Sequence, residues 1–250
     1  MKKYVVDNSI TIDRWVDEGW EWGVPISHET YLRAQQGEFE VVLTPSIPVP
    51  KDWFLPFKDI HILGLASGGG QQMPIFAALG AKVTIIDMSR KQLESERMVS
   101  QREGYHIDIV KGDVTERLPF EDETFDLIFH PVSNVYMEDV HAVFKEAFRV
   151  LKKGGRLLSG LDNGVNFMVG EDEKTIIHKF PYNPLINPEQ KAFLDSFDGG
   201  IQFSHTLEDQ IGGQLKAGFI IKDIYEDYNI EGYLSQLHIP TFYATLAIKP

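Results

Sequence analysis

The sequence contains no cysteine and no long hydrophobic run, and its basic residues are outnumbered by acidic ones. Without cysteine the chain can form neither a disulfide nor a thiolate metal site, and mechanisms that need a cysteine nucleophile, such as covalent cytosine C5 methylation, are excluded. No apolar run approaches the roughly 18 residues that a membrane-spanning helix needs, and the first residues lead into no apolar signal core. We therefore expect an intracellular, cytoplasmic protein that does not enter a membrane.

Acidic residues dominate the charge, with 37 Asp and Glu against 24 Lys and Arg and a net charge of −13. Because the basic residues are scattered, the potential around the protein should repel polyphosphate backbones. A nucleic-acid substrate is thereby disfavoured, and the expected partner is a small molecule. No set of histidines and carboxylates has metal-ligand spacing, so we predict no metal site. The sequence carries no signal for an oligomeric state.

Short apolar runs alternate with helical patterns from residue 59 onward. Such alternation is typical of parallel strands joined by right-handed crossovers, which predicts a doubly wound α/β domain. Ser89 and Gly104 are suitable caps for the two ends of one of these helices. The strands are predicted at residues 60–65, 82–87, 106–111, 125–130, 155–161, 219–228 and 242–248, and the helices at residues 71–79, 89–104, 137–151 and 207–217.

Two segments fall outside this alternation. Residues 1–58 contain all four tryptophans, and we predict that they form one or two helices and a short extended segment, packed as a cap on a main domain of residues 59–250. The tryptophans fit either a core or the cover of a ligand. Residues 162–200 contain three prolines and little periodicity, which is typical of a lid insert.

The sharpest motif is a glycine loop at residues 61–71, HILGLASGGGQ, in which an apolar strand runs into three glycines and then a helix. Such a loop lets the backbone approach a ligand closely and directs helix N-terminal amides at it. A P-loop is excluded because no Gly-Lys-Ser/Thr follows the glycines. A hydrolase elbow is also excluded, because Leu65 stands where a glycine should precede Ser67 by two positions.

Acidic residues follow the next two predicted strands. Asp87 is suited to accept hydrogen bonds from both ribose hydroxyls of a nucleotide, although it could instead cap the helix that starts at Ser89. Gly112 would leave room for an adenine, and Asp113 could accept a hydrogen bond from the exocyclic amine. A nicotinamide dehydrogenase shares much of this pattern, but Met73 stands where close helix packing needs glycine or alanine.

With these features in this order, the chain from residue 59 onward resembles the class I S-adenosylmethionine-dependent methyltransferases. Residues 22–29, 64–72 and 130–134 are similar to a bacterial subgroup of these enzymes that is uncharacterised. The resemblance implies a Rossmann-like methyltransferase fold, with a mainly parallel seven-stranded sheet whose last strand is antiparallel. It also implies S-adenosylmethionine as the methyl donor and S-adenosylhomocysteine as the product.

The resemblance assigns the methionine part of the cofactor to the glycine loop, the ribose to Asp87 and the adenine amine to Asp113. The chain departs from the family at Gly64, where an acid is usual, and at Ala66, which replaces the first loop glycine. Contacts to the methionine amine must then come from other groups. The predicted cofactor-binding residues are Gly64, Ala66, Ser67, Gly68, Gly70, Gln71, Gln72, Asp87, Met88, Gln92, Gly112, Asp113, Val114, Pro131 and Asn134.

Methyl transfer from a sulfonium is an in-line displacement, so the protein chiefly has to align the acceptor. His130, at the end of the fourth strand, is the first candidate for a base, although it could instead only pack beside the cofactor. Tyr136 is the second predicted catalytic residue and could orient the acceptor. We therefore predict a small-molecule methyltransferase. The alternatives are a non-catalytic nucleotide-binding or regulatory module and, less favoured, a nicotinamide-dependent oxidoreductase.

Overall fold

The computed structural model describes residues 1–196 and 198–250 and contains a seven-stranded sheet. The strands are β1 His61–Leu65, β2 Lys82–Asp87, β3 Ile107–Lys111, β4 Phe125–His130, β5 Leu151–Asp162, β6 Ile220–Asp227 and β7 Phe242–Ile248. Their spatial order is β3-β2-β1-β4-β5-β7-β6. The β7 strand is antiparallel to both neighbours, and the other six strands are parallel to one another. The predicted doubly wound, Rossmann-like fold with an antiparallel last strand is confirmed.

Helices cover both faces of the sheet. They are α1 Lys3–Asp17, α2 His28–Gln35, α3 Gln72–Ala78, α4 Arg90–Glu103, α5 Val140–Val150, α6 Pro188–Leu194, α7 Gly213–Ala217 and α8 Tyr233–Gln236. On one face Ile62 and Phe129 pack with Phe76 of α3. On the other face Leu63 packs with Phe144 of α5. These alternating strand residues build two cores, as expected for a sheet buried on both sides.

Local chemistry sets the helix ends. The Ser89 hydroxyl accepts the Gln92 N–H at 3.1 Å, and Gly104 ends α4 in the left-handed conformation with φ of 75°. Both predicted caps are confirmed. The helix predicted at 137–151 begins later, because Asp139 accepts the N–H groups of His141 and Ala142 and so fixes its start. The helix predicted at 207–217 is a π-helical turn followed by α7.

The N-terminal segment lies against the carboxyl edge of the sheet. Asn8 of α1 exchanges two hydrogen bonds with the backbone of Ile201, with N–O distances of 2.8 and 2.7 Å. The hydroxyl of Ser9 donates to the carbonyl of Met88 at 2.8 Å. The Asp13 carboxylate accepts the Ser89 hydroxyl at 2.6 Å. Helix α1 therefore bridges the end of β2 and the chain that follows the predicted insert.

The four tryptophans divide between the two predicted roles. Trp53 is buried in a core and donates to Asp223 at 3.0 Å. Trp20 and Trp22 line a cavity, and Trp15 packs on Trp20 with ring centroids 5.4 Å apart.

The predicted insert at 162–200 contains a 3₁₀ turn, Val165–Phe167, and helix α6. Its residue 197 lies outside the described residues. The division into a cap of residues 1–58, a domain of residues 59–250 and a lid stays a prediction. No helix in the described part of the chain is long and apolar enough to cross a membrane.

Candidate functional site

A cavity of about 270 Å³ lies at the carboxyl ends of β1, β2, β3 and β4. In open α/β sheets this edge, where the strand order reverses beside β1, is the usual place for a ligand. The predicted site residues that line the cavity are Ala66, Ser67, Gly68, Gln71, Gln72, Asp87, Met88, Gln92, Gly112, Asp113, Val114, Pro131 and Tyr136. The structure thus brings together most of the residues singled out from the sequence.

The three glycine N–H groups of the loop are bonded within the protein. The N–H of Gly68 donates to the Asp87 carboxylate at 3.1 Å, and that of Gly70 donates to Glu96 at 2.8 Å. The N–H of Gly69 donates to the carbonyl of Gln92 at 3.1 Å. These three donors are therefore not available to an anion, and the expectation that the amides at the start of α3 face a ligand stays a prediction.

Ala66 adopts a backbone conformation that explains why glycine is usual here in the family. Its φ is 49°, in the left-handed region, and its N–H donates to the carbonyl of Ile86 at 2.9 Å. A side chain in this region is strained by roughly 1–2 kcal/mol. The loop therefore turns in the left-handed region at Ala66 without a glycine.

Asp87 stands at the junction of β2 and the glycine loop. Its carboxylate accepts the N–H of Ser89 at 2.8 Å and that of Gly68 at 3.1 Å. Burial raises the pKa of Asp87 above its ordinary value, although the bonds from Ser89 and Gly68 act in the opposite direction. The helix-capping role and the ribose role of Asp87 are compatible, because a carboxylate can accept about four hydrogen bonds.

Asp113 is fixed by its own turn. One carboxylate oxygen accepts the N–H of Thr115 at 2.9 Å and its hydroxyl at 2.7 Å. The other oxygen has only a long contact, 3.4 Å, with the N–H of Lys2. That second oxygen is therefore the one available to a hydrogen-bond donor in the cavity. The adjacent Gly112 has no room for a side chain, since an added Cβ would lie 2.8 Å from Ile86.

Four buried side-chain oxygens in the cavity wall have no hydrogen-bond partner among the described residues. They belong to Thr44, Ser67, Gln72 and Gln92. An unpartnered buried polar atom costs about 1–3 kcal/mol, so such atoms commonly face a ligand or water. Together with Asp87 and Asp113, they make the wall rich in hydrogen-bond acceptors. The arrangement suits a ligand that donates hydrogen bonds.

Gln71 has a different environment, although it also lines the cavity. Its amide donates to the carbonyls of Glu21 and Val24, both at 3.0 Å. Gln92 likewise donates to the carbonyl of Trp22 at 3.3 Å. These bonds attach the N-terminal segment to the glycine loop.

The structure places two of the predicted glycines behind the cavity wall. An added Cβ at Gly64 would lie 2.5 Å from the Ser67 hydroxyl and 2.7 Å from Ile85. The side chains of Ser67, Ile85 and Met73 thus fill the space of the family's usual acid. At Gly70 an added Cβ would lie 2.9 Å from Pro25, so this glycine packs against the N-terminal segment instead of the cavity.

His130 and Asn134 also lie outside the cavity lining, contrary to expectation. The ring of His130 is buried and donates through Nδ1 to the carbonyl of Leu65 at 2.9 Å. Burial lowers its pKa to about 4, so the imidazole is neutral. Asn134 bonds to the backbone of Asp162 in both directions, at 3.2 and 3.1 Å. In this geometry His130 joins β4 to β1, Asn134 joins the following turn to β5, and neither side chain lines the cavity.

Tyr136, the second predicted catalytic residue, does line the cavity. Its backbone N–H donates to the carbonyl of Ser133 within the 3₁₀ turn Asn134–Tyr136. No hydrogen bond of its hydroxyl to another described residue is found. Burial raises the pKa of Tyr136 to about 12, so the phenol stays protonated at neutral pH.

Sequence reasoning missed several cavity residues that come from distant segments. Val5 and Ile12 belong to α1, and Phe242 is the first residue of β7. Residues 42–45 form another part of the wall. Apart from Thr44 these residues are apolar, and apolar character alone does not distinguish a cavity wall from a core. Within residues 1–196 and 198–250, no three histidine or carboxylate side chains are grouped so that they could hold a metal ion.

The fold and the site together define a nucleotide-binding α/β protein with an acceptor-rich cavity. A family model described as a methyltransferase domain matches residues 63–159. The chain is 42% identical, over the full length of both proteins, to the uncharacterized methyltransferase YbaJ of Bacillus subtilis (strain 168). It is 28% identical to the methyltransferase phqN of Penicillium fellutanum over 64% of this chain and 45% of that protein.

Comparison with solved structures also identifies a methyltransferase fold. An S-adenosylmethionine-dependent methyltransferase from Mesorhizobium loti superposes with a TM-score of 0.63 at 18% identity, covering 79% of this chain and 94% of the other. The chain belongs to the class I S-adenosylmethionine-dependent methyltransferases, and the cofactor of this family is S-adenosylmethionine.

Proposed function

We propose that this protein transfers the methyl group of S-adenosylmethionine to a small-molecule acceptor by in-line displacement. The observation that carries the proposal is the chemistry of the cavity wall. The N–H groups of Gly68, Gly69 and Gly70 are bonded within the protein, whereas oxygens of Ser67, Gln72 and Gln92 have no partner in the described part of the chain. S-adenosylmethionine presents ribose hydroxyls, an amine and an ammonium, all of which donate hydrogen bonds.

Each part of the cofactor has a proposed partner. Asp87 would hold the ribose hydroxyls, and the open carboxylate oxygen of Asp113 would accept the adenine amine. Gln72 would take the methionine ammonium in place of the acid that Gly64 lacks, because its buried carbonyl oxygen is otherwise unsatisfied. Bound here, the cofactor supplies an activated methyl carbon, and the protein excludes water and aligns the acceptor.

The same wall argues against a nicotinamide cofactor. A dinucleotide carries a pyrophosphate, which binds to free N–H donors at the start of a helix. Here the N–H groups of the three glycines that precede α3, Gly68, Gly69 and Gly70, are bonded to protein oxygens and so are not offered to a pyrophosphate. No lysine or arginine is found among the described residues that line the cavity. These features favour a cationic, phosphate-free cofactor.

Calorimetric titration with S-adenosylhomocysteine tests the proposal, with NADH as the control ligand. We expect binding of S-adenosylhomocysteine alone, and a loss of roughly 10- to 100-fold in affinity for Asp87→Asn, since bonds to a charged acceptor contribute about 1.5–3 kcal/mol. Asp108→Asn, at an exposed position of β3, is the matched control and should bind normally. Equal affinity of both variants would refute the ribose assignment, and tight NADH binding would refute the function.

A non-catalytic module would bind the cofactor product equally well, so transfer needs its own assay. Protein incubated with methyl-labelled S-adenosylmethionine and fractionated metabolite extracts should label a small molecule. Asp87→Asn should reduce that labelling. Binding without labelling in any extract would favour a regulatory module.

A further inference from the structure

A second cavity, of about 480 Å³, lies in the chain that follows β5. The described residues that line it all fall within residues 166–202, and none of them lines the cavity proposed for the cofactor, here called the cofactor cavity. Four rings in contact form what we call the aromatic wall: Phe167, His178, Tyr182 and Phe193. The ring centroid of His178 lies 4.5 Å from that of Phe193, and that of Tyr182 lies 5.2 Å from His178 and 5.5 Å from Phe167.

The aromatic wall contains a buried nitrogen without a partner. Nε2 of His178 is buried and makes no hydrogen bond to another described residue. Burial lowers the pKa of His178, although Glu189 acts in the opposite direction, so the ring is neutral at pH 7. A neutral imidazole has one acceptor nitrogen. With its proton on Nδ1, His178 therefore offers Nε2 as an acceptor to a ligand.

Two glutamates give this cavity a negative charge. Glu171 is exposed, and no hydrogen bond or ion pair of its carboxylate with another described residue is found. Glu173 accepts the N–H of Leu234 at 2.8 Å, which leaves most of its acceptor capacity open. The neighbouring Lys174 lies instead over the ring of Tyr233, 4.5 Å from its centroid. Since no lysine or arginine is found among the described lining residues, an anionic ligand is disfavoured.

The donor groups in the lining are already bonded. The Tyr182 hydroxyl donates to the carbonyl of Gln190 at 2.9 Å. The amide of Asn166 donates to the Asp162 carboxylate at 2.9 Å, and that of Gln202 donates to a backbone carbonyl. The rest of the lining is aliphatic side chain or backbone, from Val169, Gly170 and Leu194. The cavity therefore offers a ligand hydrogen-bond acceptors, negative charge and apolar surface.

We propose that the second cavity binds an organic ammonium ion with an apolar body, an inference that goes beyond the proposed function and does not rest on it. The face of an aromatic ring attracts a cation by roughly 0.5–2 kcal/mol. The ammonium hydrogens would bond to Nε2 of His178 and to the open carboxylate of Glu171, which are charge-assisted bonds. The apolar body would pack on Phe167 and Leu194.

Three matched probes test the charge of the ligand. They are phenethylammonium, 2-phenylethanol, which is neutral, and 3-phenylpropanoate, which is an anion. Calorimetric titration into the S-adenosylhomocysteine complex keeps the cofactor cavity filled. We expect phenethylammonium to bind at least about tenfold more tightly than 2-phenylethanol, because its charge adds cation–π attraction and ion pairing. We expect no measurable binding of 3-phenylpropanoate, and the same phenethylammonium affinity when S-adenosylhomocysteine is left out.

Two variants locate the ligand in the second cavity. Phe167→Leu removes a ring but keeps apolar bulk, so it should weaken phenethylammonium binding by about 3- to 10-fold and 2-phenylethanol binding by a smaller factor. Glu171→Gln should weaken phenethylammonium binding by about threefold, as expected for an exposed ion pair. Glu231→Gln removes an exposed carboxylate outside the lining, and as the matched control it should leave the affinity unchanged.

The outcomes separate this inference from the proposed function. It would be overturned if phenethylammonium did not bind, if either other probe bound as tightly, or if S-adenosylhomocysteine competed with it. Unchanged affinity in both Phe167→Leu and Glu171→Gln would also overturn it. Thermal unfolding checks that the variants are folded, and the exposed Glu171 keeps the test valid if Phe167→Leu is unstable. Failure to bind S-adenosylhomocysteine would instead overturn the proposed function alone.

Discussion

The backbone of Leu43 crosses β5 in direct contact with Gly160, and an added Cβ at Gly160 would overlap the Leu43 carbonyl group. The carbonyl oxygen of Leu43 also accepts the N–H of Val132. The absence of a side chain at one residue of β5 therefore determines where residues 42–45, a part of the cavity wall, lie. The shape of the cavity depends on this contact between the N-terminal segment and the sheet.

Replacing Gly160 by alanine should displace the segment at Leu43. Because the obstacle is backbone, we expect a loss of about 1–3 kcal/mol in the free energy of unfolding. Denaturant unfolding measures the effect. Gly212→Ala is the control, since an added Cβ there makes only an ordinary contact with Glu208, and its stability should not fall. Similar results for the two variants would contradict the contact.

Glu96 should make stability depend on pH. Its buried carboxyl accepts the Gly70 N–H, and burial raises its pKa from 4.5 to about 8. The folded protein then keeps a proton that the unfolded chain releases, so stability falls as pH rises from 4.5 towards 8. Between pH 6 and 8 the free energy of unfolding should therefore fall by about 2 kcal/mol less in Glu96→Gln than in the unaltered protein.

Urea unfolding across this pH range measures the effect. Glu94→Gln, at an exposed position of the same helix, is the control and should keep the slope of the unaltered protein. An unchanged slope in Glu96→Gln would show that the carboxyl is ionised in the folded protein.

Tyr136 should act by hydrogen bonding and not as a base. Removal of its hydroxyl in Tyr136→Phe should reduce kcat/KM by roughly 3- to 10-fold, equivalent to a hydrogen bond of about 0.5–1.5 kcal/mol. The pH profile between about 6 and 9 should keep its shape, because the phenol, with a pKa of about 12, does not titrate there. S-adenosylhomocysteine affinity serves as the control for folding. A shifted inflection in the variant would instead assign the base to Tyr136.

Ala66 offers a stabilising change. With φ of 49°, its side chain is strained, so Ala66→Gly should raise the free energy of unfolding by roughly 1 kcal/mol. Ala77→Gly, within α3, is the opposite control and should lower it by about 1 kcal/mol. Thermal unfolding of both variants measures the two changes in stability. Destabilisation by Ala66→Gly would show that the left-handed conformation carries no strain.

The strands were predictable because each is a short apolar run between turn residues. Those at Lys82–Asp87, Phe125–His130 and Phe242–Ile248 have the predicted bounds. The cavity position followed from the strand ends alone, since Asp87 and Asp113 necessarily lie at one edge of a parallel sheet.

Side-chain and amide directions were not predictable in the same way. His130 is the last residue of its strand, yet its ring turns inward because the Leu65 carbonyl offers it a partner. Likewise Glu96 draws the Gly70 N–H away from the cavity, from a helix that the loop motif does not include. Residues 42–45 line the cavity through contacts with Val132, which follows β4, and Gly160 of β5, both distant in sequence. Long-range contacts of this kind leave no local pattern.

Helix α1 has a kinetic consequence for any molecule bound beneath it. Val5 and Ile12 line the cavity, while Asn8 and Ser9 bond to Ile201 and Met88 on either side of it. A cofactor bound between Asp87 and Asp113 would contact this helix, and we expect the bonds of α1 to slow its exchange. If α1 has to move before spent cofactor leaves, stopped-flow release of S-adenosylhomocysteine should be faster in Asn8→Ala than in the unaltered protein.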